Sequence, residues 1–206
     1  RSFINLPYPL TISVLPSLKY SRDVALEAEK EGKEVILHCP MESFQGNDWL
    51  GPGAIWINMS EEEIRSQIEA DLYDVPGAKG VNNHMGTKAI GDERVMRAVL
   101  SYLKDRGLYF LDSAVSSSSV SLKVGKGIGA KVRMCDLALD NVPEREAIKE
   151  RLDELEEIAA KENIAIGIGH VSTPHLAVLI EEKAQHWKEK GYSLVFISEI
   201  FDYFNP

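Results

Sequence analysis

The sequence predicts an α/β fold built on a parallel sheet, with a closed barrel favoured over an open doubly wound sheet. Seven short apolar runs alternate with charged segments of about 11 to 20 residues that have helical periodicity. Strands that alternate with helices form βα units, and these units place their strands in parallel. A barrel is favoured because the strand count is close to eight and because polar residues end nearly every strand. We expect a single domain over residues 1–206.

Each predicted strand is a short apolar run bounded by turn or charged residues. In chain order the strands are residues 10–15, 34–38, 80–83, 108–112, 132–139, 164–169 and 194–198. The predicted helices lie between them, at residues 21–31, 60–72, 92–106, 143–162 and 174–190. The serine run at residues 116–119 is interpreted as a loop that enters a short helix, and the glycine-rich residues 125–129 as a helix C-terminus and turn.

Helix start and stop signals agree with these boundaries. Ser60, followed three residues later by Glu63, forms a capping box in which each side chain accepts a hydrogen bond from the other residue's backbone amide. Gly32, Gly107 and Gly191 each follow a helical segment. The chain commonly needs a left-handed residue at that point, and glycine adopts this conformation without strain.

The composition excludes several classes of partner. A net charge of −9 at pH 7 disfavours nucleic acid, because phosphate binding needs a basic surface, and no nucleic-acid partner is expected. No apolar run reaches about 18 residues, so we expect no transmembrane segment. Cys39 and Cys135 lie far apart in apolar runs and are interpreted as buried thiols, which leaves the redox compartment open.

Polar residues stand at the ends of five predicted strands or directly after them. They are His38, His84, Asp112, Asp140 and His170. Because the carboxyl ends of the strands share one face of a parallel barrel, we expect these side chains to converge on one site. A single His or Asp at a strand end is more often a helix cap or a loop residue, and this alternative applies most to the two aspartates. Five such positions together favour a functional site.

The residue types indicate metal-assisted hydrolysis. His38 and His84 offer two imidazoles for a divalent metal ion, and a carboxylate would complete the ligand set. Such an ion, with one position left for water, supplies a nucleophile near neutral pH. His170 comes from another strand and suits proton donation to a leaving group. No general base is identified, and the carboxylate ligand stays ambiguous.

The long loop after His38 contains two tryptophans. Trp49 and Trp56 flank the Gly-Pro-Gly sequence of residues 51–53. Aromatic residues in such a loop either shape a platform for a sugar or pack the loop onto the domain. The sequence leaves these two alternatives open.

The motifs resemble those of the divergent polysaccharide deacetylases, distant relatives of the NodB-like carbohydrate esterases. The matching stretches run in order along nearly the whole chain, at residues 9–16, 38–42, 51–53, 81–86, 110–113, 139–141, 168–170 and 198–199. The stretch Asn-Asn-His-Met-Gly at residues 82–86 is quite specific. The resemblance implies a distorted seven-stranded β/α barrel of the NodB-like type. It also implies a metal-dependent hydrolase that removes acetyl groups from a polysaccharide or another acetylated saccharide.

The resemblance also implies ligands for the metal ion, with zinc as the first choice. His38 stands at the position of the first His of the His-x-x-x-His metal motif. Glu42 occupies the fifth position of that motif, which is a departure from the family pattern, and we therefore assign the second imidazole ligand to His84.

Further roles follow from the same resemblance. His170 is similar to the catalytic His of the last family motif, and Asp112 is assigned with it to catalysis. Glu42, Asn83 and Asp140 are assigned to substrate binding. The implied partner is an acetylated saccharide, and the implied location is secreted, periplasmic or associated with the cell envelope.

The N-terminus departs from the family pattern. The family opens with a strand that ends in paired aspartates, and residues 9–16 of this sequence correspond to the strand after it. We expect the aspartate pair and one further strand to lie upstream of residue 1, in preference to their natural loss. A loss, together with Glu42 in the metal motif, would favour a saccharide-binding barrel without catalysis. A further alternative, an envelope-associated scaffold that binds partners, draws on the acidic charge and the long loop after His38.

Overall fold

The computed structural model describes residues 2–204, and their contacts divide the chain into two compact units. The five-stranded unit comprises Thr11–Met134 and Phe196–Pro206, and the two-stranded unit comprises Arg1–Leu10 and Cys135–Val195. Residues 1, 205 and 206, which belong to the predicted single domain, lie outside the described residues. Each unit has its own sheet.

Parallel strands in chain order form the sheet of the five-stranded unit. They are β1 (Thr11–Val14), β2 (Glu34–Met41), β3 (Gly80–Met85), β4 (Tyr109–Asp112) and β5 (Val132–Met134). The helices of this unit are α1 (Ser21–Lys30), α2 (Glu61–Asp74), α3 (Glu93–Asp105), α4 (Ser121–Ile128) and α7 (Ile197–Phe204). Because each of the four strand pairings is parallel, all carboxyl ends of these strands lie at one edge of the sheet.

The register between β2 and β3 brings the two predicted metal ligands to the same face. His38 pairs with Asn82, and Pro40 pairs with His84. Side chains two residues apart on a strand point to the same face, so His38, Asn82 and His84 share one face of the sheet. The prediction that these two histidines lie together is thus explained by strand period and register.

Both faces of the central strands are buried, as expected for a parallel sheet covered by helices on both sides. In β2, Val35, Ile36 and Leu37 are all buried, and every residue of β4 is buried. Each apolar side chain of this size contributes about 1.5–3 kcal/mol when it leaves water. This rigid core fixes the strand ends that carry the polar residues.

Side chains cap the starts of two helices, and the capping box at Ser60 confirms the prediction from the sequence. The Ser60 hydroxyl accepts from the Glu63 amide, and the Glu63 carboxylate accepts from the Ser60 amide, which completes the capping box before α2. Asp92 caps α3 by accepting from the amides of Arg94 and Val95. These contacts satisfy amides that have no partner inside the helix.

The two-stranded unit pairs two short parallel strands, β6 (Leu137–Ala138) and β7 (Gly167–Ile168). Two long helices, α5 (Arg145–Glu162) and α6 (Leu176–Glu189), complete its regular structure. Its apolar core consists of Leu137, Leu139, Ile148, Leu152, Leu176, Leu179 and Trp187.

The structure corrects two predicted strands. The run at residues 132–139 is divided into β5 and β6, which belong to different sheets. The run at residues 194–198 is not a strand, because helix α7 begins within it at Ile197. Side chains accept from the amides at this helix start: Thr11 Oγ1 from Ile197 at 3.1 Å and Glu34 Oε1 from Ser198 at 3.2 Å. An apolar run with such acceptors beside it can begin a helix.

The parallel α/β class is confirmed. The described strands form sheets of five and two, so the single closed seven-stranded barrel is not confirmed and stays a prediction.

Cys39 and Cys135 are buried, as predicted. Within residues 2–204, no helix combines the length and the apolar character needed to cross a membrane.

Candidate functional site

Two imidazoles meet near the carboxyl ends of β2 and β3. His84 Nδ1 lies 3.1 Å from His38 Nε2, and the two ring centroids are 4.8 Å apart with the planes inclined by 59°. On its other side, His38 Nδ1 lies 2.9 Å from Asn82 Oδ1. Ser13, from β1, also donates its hydroxyl to Asn82 Oδ1. The pair is therefore built from three adjacent strands.

The hydrogen bonds of Asn82 determine which nitrogen of His38 carries the proton. The Ser113 hydroxyl donates to the Asn83 carbonyl oxygen at 2.8 Å, because a carbonyl can only accept. Ser113 Oγ therefore accepts from the amide group of Asn82, at 3.2 Å, and the Asn82 oxygen faces His38. His38 Nδ1 must then be the donor, which leaves the lone pair of Nε2 directed at His84 in the neutral ring.

Asn83, predicted to bind substrate, is instead bonded to the protein on both sides of its amide. It is fully buried; its oxygen accepts from the Ser113 amide at 2.9 Å, and its nitrogen donates to the Met85 carbonyl at 2.7 Å. These bonds hold a turn in which Met85 and Gly86 both have positive φ, 56° and 94°. A role for Asn83 in substrate binding stays a prediction.

Glycine is required at the second residue of that turn. A Cβ atom on Gly86 would lie 3.0 Å from Met41 Cβ in the neighbouring strand, and its φ of 94° is strained for other residues. The Asn-Asn-His-Met-Gly stretch thus folds as a strand end and a tight turn that together hold His84 in place.

The spacing of the two imidazole nitrogens suits a shared metal ion. Zinc–nitrogen distances of about 2.0–2.1 Å place two ligand nitrogens about 3.3 Å apart at a tetrahedral angle, close to the 3.1 Å between His38 Nε2 and His84 Nδ1. Over residues 2–204, no cluster of three or more His, Cys, Asp or Glu side chains is arranged to hold an ion. The residues present therefore fit a divalent ion through two imidazoles.

The Asn82 contact with His38 gives a test that needs no metal. Replacing Asn82 with Leu removes the acceptor for the His38 Nδ1 proton, and we expect the neutral ring to lose its preference for the Nδ1-protonated tautomer. Asn82→Asp retains an oxygen acceptor and should retain that tautomer. The imidazole ¹⁵N chemical shifts of His38 measure both outcomes. An Asn82→Leu protein whose His38 stays protonated at Nδ1 would contradict this assignment.

In the two-stranded unit, Asp140 and His170 form a hydrogen-bonded pair. His170 Nδ1 lies 3.0 Å from Asp140 Oδ1, and Asp140 Oδ2 accepts from the His170 amide at 2.7 Å and from Thr173 Oγ1 at 2.5 Å. The Asp140 side chain is fully buried, whereas the His170 side chain is 70% exposed. Because Nδ1 donates to the carboxylate, Nε2 is the atom left to exchange a proton with a bound molecule.

Donors around Asp140 keep its carboxyl group ionised. Burial alone raises the Asp140 pKa, but the hydrogen bonds from Thr173 and from the His170 amide and ring outweigh it, so the pKa is lowered from its usual value. The ionised, buried carboxylate orients the imidazole by accepting its Nδ1 proton. The pair is therefore suited to acid–base chemistry.

Asp112, predicted to act in catalysis, is fully buried among donors of its own loop. Its Oδ2 accepts from the hydroxyls of Ser119 and Ser121, and its Oδ1 accepts from the Ala114 amide at 2.9 Å. These bonds hold the serine-rich loop that leads into α4. Asp112 thus stabilises its own loop, which is the alternative that the sequence leaves open for this residue. A catalytic role for Asp112 stays a prediction.

Glu42, predicted to bind substrate, ties the loop after β2 to the connection between β3 and α3. Its carboxylate forms an ion pair with Lys88 and accepts from the Ile57 amide at 2.7 Å. Burial raises the Glu42 pKa, but the contacts with Lys88 and the Ile57 amide outweigh it and the pKa is lowered overall. Because its oxygens are already engaged, Glu42 acts first as a support for this loop, and substrate binding by it stays a prediction.

Residues 1–201 of the chain match the family described as divergent polysaccharide deacetylase. The chain belongs to this family. The family assignment made from the sequence motifs is thereby confirmed.

Relatives of this deacetylase-family chain occur in two bacteria. It is 30% identical over 174 residues to the uncharacterized protein YibQ of Escherichia coli strain K12, an alignment that covers 84% of this chain and 53% of YibQ. It is 28% identical over 174 residues to an uncharacterized protein of Haemophilus influenzae, covering 84% of this chain and 62% of that protein. The chain thus spans between half and two thirds of these curated relatives.

A solved structure has the same fold. The crystal structure of the uncharacterized protein ATU2773 from Agrobacterium tumefaciens C58 matches with a TM-score of 0.90 at 24% sequence identity. The match covers 97% of this chain and 81% of that chain.

The structure brings the predicted site residues of this family member together in two groups. His38 and His84 meet in the five-stranded unit, and Asp140 and His170 meet in the two-stranded unit. The predicted convergence of all strand-end residues on one site stays a prediction.

Residues that orient these side chains have no role in the sequence-based prediction. Asn82 orients His38, and Thr173 binds Asp140. Asn82 lies two residues before His84 in β3, so the period of the strand already places both side chains on one face. Thr173 lies in a turn, where spacing alone gives no such signal.

Proposed function

We propose that this chain belongs to a metal-dependent hydrolase that removes acetyl groups from a polysaccharide or another acetylated saccharide. The observation that carries the proposal is the imidazole pair, with His38 Nε2 and His84 Nδ1 3.1 Å apart at the ends of parallel strands. Membership of the divergent polysaccharide deacetylases supports the reaction class. Zinc is the ion we propose, since it takes imidazole ligands in open catalytic sites.

The chain's own residues prepare the imidazole pair for that ion. Asn82 holds the proton on His38 Nδ1, so His38 Nε2 offers a lone pair without rearrangement. His84 would hold the ion through Nδ1, with its ring proton on Nε2. A bound zinc ion would supply an activated water and polarise the acetyl carbonyl.

The Asp140–His170 pair supplies the proton in this proposal. Water adds to the acetyl carbon and gives its proton to solvent, the bond from that carbon to the sugar nitrogen or oxygen breaks, and acetate is released. The amine or hydroxyl that leaves takes a proton from His170 Nε2, while Asp140 keeps the Nδ1 proton in place. A secreted, periplasmic or envelope-associated location is part of the same proposal, because such polysaccharides lie outside the cytoplasm.

A saccharide-binding protein without catalysis is the second candidate. The observation that favours this candidate is that Glu42, which replaces the second His of the family metal motif, has its carboxylate bound by other residues of the protein. Lys88 and the Ile57 amide engage its carboxylate, so it does not take over that ligand position. Binding of a saccharide without release of acetate would identify this function.

Acetate release by the full-length protein is the direct test. We expect the protein with added zinc to release acetate from acetylated oligosaccharides, and a chelator to abolish the reaction. His84→Ala should lower zinc affinity by about 10- to 100-fold or more, because the site loses one of its imidazoles. His186→Ala, a change at a half-exposed histidine of α6, is the matched control and should leave zinc affinity unchanged. A protein that neither binds zinc nor releases acetate would rule the proposal out.

A further inference from the structure

The loop between β2 and α2 presents two aromatic side chains to solvent. Phe44 is 71% exposed and Trp49 is 82% exposed, whereas Trp56 is only partly exposed. An exposed single aromatic is ordinary, but two within six residues leave a sizeable apolar surface in water. The loop was predicted either to shape a platform for a sugar or to pack onto the domain through its tryptophans. The exposure of Trp49 shows that this residue does not pack the loop onto the domain.

Hydrogen bonds and buried side chains hold this loop in one conformation. The Ser43 amide donates to Asn47 Oδ1 at 2.8 Å, and Asn47 Nδ2 donates back to the Ser43 carbonyl at 2.9 Å. Leu50 and Ile55 are buried beneath the loop. The two aromatic rings are thus carried by a fixed backbone, which reduces the entropy lost when a ligand binds.

The loop lies against the strand end that carries His84. Ser43 Oγ accepts from the Gly86 amide at 2.8 Å, and the Phe44 amide donates to Thr87 Oγ1 at 3.1 Å. A Cβ atom on Gly46 would lie 3.1 Å from Met85 Cε and 3.9 Å from Trp49 Cδ1. Met85 and Gly86 directly follow His84, so the loop that carries the two aromatic rings is bonded to the turn after this imidazole.

The composition of the loop fits a neutral, hydroxyl-rich ligand. Among residues 43–59 the only charged residue is Asp48, and the polar residues are serine, glutamine and asparagine. A surface that binds an anionic membrane carries lysine and arginine, and this loop has none. Aromatic faces with amide side chains nearby suit a sugar ring, which has an apolar C–H face and a rim of hydroxyls.

We propose that Trp49 and Phe44, on the loop bonded to the turn after His84, form a stacking platform for a pyranose ring of the saccharide. This inference rests on the proposed function, because the ring on the platform carries or adjoins the acetyl group. The platform binds the saccharide and takes no part in breaking the acetyl bond.

Substrates with and without a sugar distinguish saccharide binding by the platform from hydrolysis of the acetyl bond. The full-length protein with zinc is assayed on an N-acetylglucosamine pentamer, on an O-acetylated xylo-oligosaccharide and on p-nitrophenyl acetate, which has no sugar. Trp49→Ala should raise KM for a saccharide at least about tenfold with little change in kcat, and Phe44→Ala should have a smaller effect. Hydrolysis of p-nitrophenyl acetate should stay unchanged in both variants. Tyr73→Ala, at an equally exposed aromatic of α2, is the matched control and should change neither activity.

Calorimetric binding of the same oligosaccharides tests the platform even if no acetate is released. A tenfold loss of affinity in Trp49→Ala would then support the platform while the proposed hydrolase function fails. Three results would overturn it: no binding of either oligosaccharide by the wild type, equal affinity in the wild type and both variants, or an equal loss of p-nitrophenyl acetate hydrolysis in Trp49→Ala. A change in oligomeric state on Trp49→Ala without any effect on saccharide binding would also overturn it.

Discussion

Replacing His170 with Ala is expected to lower kcat for acetate release by about 100- to 10,000-fold, the usual contribution of a positioned general acid. Zinc affinity should not change, because the proposed ligands are His38 and His84. The reason lies in the geometry of His170: the buried Asp140 carboxylate takes its Nδ1 proton, and Nε2 remains for the substrate. Acetate release and zinc titration on the same protein separate the two effects.

Asp140→Asn tests the orientation of that imidazole. Asp140 Oδ2 accepts from both the His170 amide and Thr173 Oγ1, so the amide oxygen of an Asn should take that position. The NH₂ group would then face His170 Nδ1, which forces the neutral ring into the opposite tautomer. We expect a loss of kcat together with a reversed tautomer in the ¹⁵N spectrum of His170.

The control for both variants is His186→Ala, which removes an imidazole from the same unit and should leave kcat unchanged. If His170→Ala retains the wild-type kcat, the assignment of His170 as the proton donor is wrong. If Asp140→Asn reverses the tautomer without lowering kcat, the orientation of the ring does not matter for the reaction.

Replacing Asp71 with Asn is expected to stabilise the fold above neutral pH. Asp71 lies in α2 with no exposed surface, and its Oδ2 has no hydrogen-bond partner among the described residues. Burial raises the Asp71 pKa from 3.8 to about 7, against a hydrogen bond from Gln67 that lowers it. The raised pKa reflects the cost of holding a charge in this position.

The direction in which Asp71 changes stability with pH follows from whether the folded chain, the unfolded chain or both hold its proton. Below about pH 4 both the folded and the unfolded chain keep the Asp71 proton, and the residue costs nothing. Between about pH 4 and pH 7 only the folded chain keeps it, so stability falls as the pH rises. Above that range both forms are ionised, and the cost stays near its full value, roughly 4 kcal/mol at about 1.36 kcal/mol per pKa unit.

Urea unfolding at pH 5 and pH 9 measures this cost. The stability of Asp71→Asn relative to the wild type should be greater at pH 9 than at pH 5, by roughly 2–3 kcal/mol for the two pH units between pH 5 and the raised pKa. Asp105→Asn, at an exposed carboxylate, is the control and should show no such gain. A wild type and an Asp71→Asn variant whose stabilities change in parallel with pH would refute the prediction.

The parts of the fold that follow from local pattern were predictable from the sequence. Strands β2 and β3, the Ser60 capping box and the placement of His38 beside His84 depend on strand period and on a parallel register between neighbours. The prediction of a single strand at residues 132–139 was wrong, because nothing in an apolar run shows that its two halves join different sheets. Helix α7 was missed because the acceptors at its start, Thr11 and Glu34, are more than 160 residues away in sequence.

The histidines of the candidate site were predictable from the sequence, but the residues that orient them were not. The resemblance to the family and the strand-end positions identified both histidines of the imidazole pair. The tautomer of His38, by contrast, depends on Asn82, Ser113 and the Asn83 carbonyl, a chain of bonds across two strands that only the register brings together. Asp112 shows the opposite case, in which a polar strand end is engaged by its own loop.

The attachment of α7 to the first strands has a consequence for biosynthesis. The five-stranded unit is complete only when residues after 195 have been made, because Thr11 and Glu34 bind the amides of Ile197 and Ser198. As the ribosome delivers the chain from its N-terminus, β1 to β5 emerge well before their last helix. Until then, one face of Tyr109 lacks the ring of Phe201 that stacks on it, and an apolar edge stays open to chaperones. These contacts of high sequence separation should make the closing step of this unit slow.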